Sequence, residues 1–96
     1  MPTAERSYKI VNRLGLHARA AAKLVQLANR FRCEVRVIRE GQEVNGKSIM
    51  GVLMLAAAEG SDVIVRTDGE DADEALAALG GLIEDGFGED RGGVPR

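Results

Sequence analysis

The sequence predicts an α+β domain, one antiparallel sheet with its helices on a single face, and three observations lead there. Short β-branched runs alternate with stretches of helical periodicity. The second and third runs are separated only by Glu40-Gly41, a tight turn that makes neighbouring strands antiparallel. Ninety-six residues allow one core and leave no room for a doubly wound sheet. The resulting order is β-α-β-β-α-β-α.

The first strand is expected over Arg6 to Val11, where Tyr8, Ile10 and Val11 mix with polar residues, and Asn12 to Gly15 supply turn chemistry. From Ala18, apolar Ala21, Leu24, Leu27, Ala28 and Phe31 recur at three- and four-residue steps. Arg19, Lys23, Gln26 and Arg30 line the opposite face, so this is an amphipathic helix with a basic back. Cys33, Val35 and Val37 alternate with Glu34 and Arg36 in a strand that turns at Glu40-Gly41 into a short run, Gln42 to Asn45. Ser48 precedes Ile49, Val52, Leu53 and Ala56 at helical spacing, with Gly60 placed to end that helix. Asp62 to Thr67 reads as the fourth strand. In the last helix Asp71 and Glu74 have capping-box spacing, and Ala72, Ala75, Leu76, Leu79, Leu82 and Ile83 form one stripe ending at Gly86. Gly80-Gly81 weaken it by roughly 1 kcal/mol each relative to alanine. The domain is expected over residues 1–86, with a disordered tail over 87–96 that is rich in glycine and charge.

Composition excludes several functions. The three aromatic residues, Tyr8, Phe31 and Phe87, form no interleaved platform for nucleic acid. One Cys and one His fall short of a zinc site and of an internal disulfide, so neither metal nor cofactor is expected. A charged N-terminal segment and apolar runs too short for a bilayer point to a cytoplasmic protein without membrane insertion. The net charge of −2 conceals an asymmetry. Residues 1–50 hold ten Lys/Arg against four Asp/Glu, and residues 51–96 hold three against eleven. An anionic ligand or acidic partner should therefore meet the first half.

That half contains the candidate chemistry. Gly15-Leu16-His17-Ala18-Arg19 places the sole histidine where the first helix opens, although an isolated histidine is more often ordinary surface. At a helix N-terminus, unpaired N–H groups and the positive end of the dipole attract anions. There the backbone of Ala18 and Arg19 can cradle phosphate oxygens and the Arg19 side chain can add charge-assisted bonds. A neutral imidazole nitrogen is a good nucleophile, so His17 is a candidate phosphoryl acceptor. Gly41 to Ser48 also spells the P-loop pattern G-x-x-x-x-G-K-[ST]. Its context opposes nucleotide binding, because Gly41 lies in a hairpin turn and Glu43 would place negative charge in a phosphate cradle. The plainer reading of Ser48 is a helix N-cap. Met50 and Met54, one helical turn apart, are either core or an adaptable docking surface. Cys33 is expected to be buried and inert.

Two segments, Gly15-Leu16-His17-Ala18-Arg19-Ala20-Ala21-Ala22 and Gly46-Lys47-Ser48-Ile49-Met50-Gly51-Val52, together with the element order, resemble the histidine-containing phosphocarrier protein HPr family over roughly residues 6 to 84. The resemblance implies an open-faced β-sandwich with strand order 1-4-2-3 and three helices on one face. It implies a stoichiometric carrier, not a turnover enzyme, in the phosphoenolpyruvate-dependent phosphotransferase system. Enzyme I would phosphorylate His17 at Nδ1, and an enzyme IIA domain would receive the group. Arg19 matches the phosphate-associated arginine, and Ser48 matches the serine modified by an HPr serine kinase/phosphorylase. Ile49, Met50 and Leu53 match the apolar docking patch, which Lys23 and Lys47 would flank for an acidic partner. The family usually has proline where this chain has Ala20, which restores a backbone N–H in the first turn. A monomer is expected from the carrier role. The alternatives are a regulatory protein–protein module of a nitrogen-type branch acting through Ser48, and a small P-loop-like nucleotide binder.

Overall fold

The computed structural model describes residues 2–89. The elements are β1 (Thr3–Lys9), α1 (Ala18–Ala28), β2 (Glu34–Arg39), β3 (Gln42–Asn45), α2 (Ile49–Met54), β4 (Asp62–Asp68) and α3 (Ala72–Glu84), followed by a turn at Gly86–Gly88 whose three residues all have positive φ. The four strands form one antiparallel sheet in the order β1-β4-β2-β3. This is the expected α+β arrangement.

Alternation decides which face is covered. Tyr8 of β1, Val35 and Val37 of β2, and Val63, Val65 and Thr67 of β4 turn inward and are buried. Against them pack Ala21, Leu24 and Ala28 of α1, Val52 of α2, and Ala75, Leu79 and Ile83 of α3. The other face carries charge across three strands. Arg66 bonds Glu5 at 2.9 Å on one side and Glu43 at 3.1 Å on the other. At the hairpin, Glu40 and Gly41 both have positive φ, the backbone a two-residue turn between twisted strands requires.

Four expectations are corrected. The first strand lies at Thr3–Lys9 instead of Arg6 to Val11 because its ladder ends where β4 does, at the Lys9–Asp62 pair. The second helix stops at Met54, well before Gly60. Leu55 and Ala56 donate to carbonyls three residues back, and the positive φ of Ala56 breaks the helix. Gly60 instead belongs to the turn into β4, where its N–H bonds Ile10 O. Asp71 stands at the N-cap of α3 without a side-chain cap bond. Its carboxylate accepts from the N–H groups of Arg32 and Cys33, each at 2.9 Å, and so ties the α1–β2 connection to α3. The Arg32 N–H, followed by the N–H and the thiol of Cys33, holds the Asp71 carboxyl below its ordinary range against the upward push of burial.

The fourth correction concerns the boundary at residue 87. Phe87 is a core residue at 1% exposure, and the chain continues over the domain to Glu89. Its lack of helical periodicity reflects a single anchor and not an absence of packing. Residues 90–96, the rest of the expected tail, lie outside the described residues.

Candidate functional site

The loop from Asn12 to Leu16 delivers His17 to the start of α1. Asn12 is wholly buried, and its Nδ2 donates to Gly15 O at 2.7 Å. Leu16 N–H bonds Ala57 O at 2.9 Å. Gly15 has φ +66, and a Cβ there would fall 2.5 Å from the Ala57 carbonyl oxygen. Only glycine meets both the left-handed backbone and this close approach.

His17 is itself the N-cap of α1. Its Nδ1 accepts from the Arg19 N–H at 3.3 Å, and its carbonyl accepts from Ala21 N–H. At the other ring nitrogen, both carboxylate oxygens of Glu89 lie close to Nε2, at 2.9 and 2.8 Å. A backbone N–H can only donate and a carboxylate can only accept. Both contacts therefore select one neutral tautomer, with the proton on Nε2 and a lone pair on Nδ1.

An open cleft of about 600 Å³ surrounds the ring, lined by Arg13, Leu14, His17, Ala18, Arg19 and Glu89. Burial pushes the Glu89 carboxyl up, but hydrogen bonds from Asn12 and His17 and the nearby charge of Lys23 outweigh it and hold it low. Glu89 is thus an anion at neutral pH. The cleft presents a nucleophilic nitrogen, two arginines and the N-terminal end of an eleven-residue helix. That arrangement suits an anionic group approaching Nδ1.

His17, Ala18 and Arg19 all line this cleft. Arg13, Leu14 and Glu89 are additions. Arg13 was detectable as a basic residue in the turn before the histidine. Glu89 had one indirect signal, the isolated aromatic Phe87 two residues earlier. Lys23 and Lys47 hold intramolecular bonds: Lys23 Nζ donates to Phe87 O at 2.7 Å, and Lys47 Nζ to Phe31 O at 2.6 Å.

Ser48 is the N-cap of α2, its Oγ accepting from Gly51 N–H at 3.1 Å. Beyond it Ile49, Met50 and Met54 are exposed, the two methionines at 72% and 66%, whereas Leu53 is half-buried. The methionines are therefore surface. The P-loop string is taken apart by the fold. Gln42–Asn45 pair with β2 as β3, Gly46 N–H bonds Val35 O, Lys47 N–H bonds Asn45 Oδ1 and Ser48 N–H bonds Asn45 O. Amides that would cradle a nucleotide phosphate are already used. Cys33 is buried, and burial followed by the Asp71 contact pushes its thiol up, which disfavours the reactive thiolate. Among the described residues no cluster of three His, Cys, Asp or Glu side chains could hold a metal, and no helix is long and apolar enough to cross a membrane.

Residues 4–85 match the family described as the PTS HPr component phosphorylation site. The chain belongs to the HPr family. It is 55% identical over 85 residues to the phosphocarrier protein HPr of Cupriavidus necator, covering 88% of this chain and 96% of that one. To the phosphocarrier protein HPr of Pseudomonas aeruginosa it is 53% identical over 90 residues, 93% and 98% of the two chains. The crystal structure of HPr-C-His from Thermoanaerobacter tengcongensis superposes with a TM-score of 0.88 at 42% identity, over 91% of this chain and 98% of that one. These two sequence relatives are thus phosphocarriers, and the open-faced sheet with order 1-4-2-3 is the HPr architecture.

Proposed function

We propose that this HPr-family chain is the phosphoryl carrier of a phosphotransferase system, accepting the group on Nδ1 of His17 from phospho-enzyme I and passing it to an enzyme IIA domain. The observation that supports this most is the Nδ1 lone pair, held at the N-terminus of α1 with Arg19 beside it in an open cleft. In the forward step the lone pair attacks phosphorus as the donor's N–P bond breaks, and the released electron pair stays on the donor nitrogen. The first-turn amides and the Arg19 guanidinium then face the new phosphate oxygens. Transfer to the IIA domain reverses these bond changes. The chain is a reactant in both steps and works as a cytoplasmic monomer that shows one face to successive partners.

That face includes the exposed apolar residues Leu14, Ile49, Met50 and Met54, with Leu53 beneath them. Methionines suit a surface that must fit more than one partner. Lys23 and Lys47 contribute positive charge at its rim even though each donates one bond internally.

Incubation with phosphoenolpyruvate and enzyme I should place a single acid-labile, base-stable phosphate on His17. Arg19→Ala should slow both acceptance and delivery, and Arg30→Ala, a basic residue just beyond the far end of α1, should not. A phosphate mapped to any other residue, or equal rates in the two arginine variants, contradicts this assignment.

Ser48 is the proposed regulatory site, modified by a serine kinase/phosphorylase. A phosphate there adds roughly −1.5 to −2 charge where the dipole of α2 tolerates an anion, beside the docking face. Ser48→Asp should keep the cap on Gly51 and leave stability within about 1 kcal/mol of wild type. Phosphoryl transfer to His17 should nonetheless slow. Denaturant unfolding and transfer kinetics on the same sample check this, and a wild-type transfer rate would remove the switch.

A further inference from the structure

Glu89 reaches the histidine from 72 residues away along the chain. The turn that carries it is fixed at Phe87, which is buried and whose carbonyl oxygen accepts from Lys23 Nζ. Phe87 has φ +59, a left-handed backbone that costs a residue with a side chain about 1–2 kcal/mol and persists here because the ring is buried. Gly86 and Gly88 on either side also have positive φ, and the backbone curls back toward the start of α1. Beyond it, Glu89 Oε1 accepts from Asn12 Nδ2 at 3.1 Å, while both carboxylate oxygens meet His17 Nε2. Asn12 also holds Gly15 O. The acidic group is therefore joined to the loop that positions the ring.

We propose that Glu89 is a positioning residue for phosphoryl transfer, one that keeps the ring proton on Nε2 and provides the counter-charge when Nδ1 takes the phosphoryl group. The inference rests on His17 being the acceptor. As the Nδ1–P bond forms and the donor's N–P bond breaks, Nε2 keeps its proton. The imidazole ring then carries positive charge that the free neutral ring did not. The Glu89 carboxylate offsets that charge from the nitrogen that is not reacting, so it need not occupy the path of the phosphate. Phe87, Lys23 and Asn12 hold it there before the reaction, which limits the reorganisation that charge development requires.

The test compares Glu89→Gln and Glu89→Ala with wild type in two measurements. Nitrogen-resolved NMR of the imidazole reports the neutral tautomer. Incubation with enzyme I at a fixed ratio of phosphoenolpyruvate to pyruvate reports the equilibrium constant for phosphorylation. The glutamine amide oxygen can still accept from Nε2, so Glu89→Gln should keep the tautomer and lower the constant about fivefold, the factor that ~1 kcal/mol represents. Glu89→Ala should lower it further and also lose the preference for Nε2–H. An unchanged constant and tautomer in both variants would overturn the inference, as would stronger phosphorylation of Glu89→Gln, which would make the carboxylate a repulsive gate. If wild type takes no phosphate on His17, the acceptor reading fails instead, and the tautomer measurement still decides whether Glu89 governs the ring.

Discussion

Replacing His17 by asparagine should abolish phosphoryl acceptance and leave the fold in place. The substitution separates two roles that one ring combines. His17 caps α1 through Nδ1 and offers that same atom to an incoming phosphoryl group. Asparagine is among the best N-cap residues, and its side-chain oxygen can take the Arg19 N–H. It has no nucleophilic nitrogen, because the amide lone pair is delocalised into its carbonyl. The contact with Glu89 is altered, but that pair is partly exposed, so its loss should cost no more than about 1 kcal/mol. Alanine is a less clean test, since it also removes the cap, worth about 0.5–2 kcal/mol. Urea unfolding should therefore place His17→Asn close to wild type while phosphate incorporation falls to background. Continued labelling of His17→Asn would place the acceptor elsewhere.

The features that the sequence disclosed are those encoded by neighbours. The period of α1 is legible because Ala21, Leu24 and Ala28 must all reach the sheet from one helix. The hairpin is legible because Glu40-Gly41 is a local solution to a local problem, two consecutive residues at positive φ. His17 and Arg19 stood out because the turn and the first helical residues adjoin them. What escaped was long-range or dictated by tertiary packing. The spacing of Asp71 and Glu74 suited a capping box, but the amides of Arg32 and Cys33, brought close by the fold, took the carboxylate instead. Ala56 breaks α2 without being glycine. Glu89 sits in a stretch with no period at all, and only the buried ring of Phe87 gives that stretch a place to return to.

The two adjacent glycines of α3 should respond to alanine in opposite directions. On helix propensity alone, each replacement should stabilise, since glycine is roughly 0.8–1.0 kcal/mol worse than alanine inside a helix. Gly81 is exposed and has nothing near its missing side chain, so Gly81→Ala should gain about 0.4–1 kcal/mol. Gly80 is buried under β1, where a Cβ would collide with the hydroxyl and ring of Tyr8. Tyr8 is 5% exposed, and its hydroxyl bonds Leu76 O, so the ring has little space into which to withdraw. Either the ring leaves its rotamer or α3 lifts from the sheet, and such overpacking costs typically ~1–3 kcal/mol. That exceeds the propensity gain. In a domain of this size ~1 kcal/mol moves the midpoint by roughly 4–8 °C, so thermal unfolding should rank the variants Gly81→Ala, wild type, Gly80→Ala. Pairing Gly80→Ala with Tyr8→Phe tests the cause, because removing the hydroxyl removes the nearest colliding atom and should recover part of the loss. If Gly80→Ala raises the midpoint as Gly81→Ala does, Tyr8 does not confine this helix, and the glycine reflects something other than close packing.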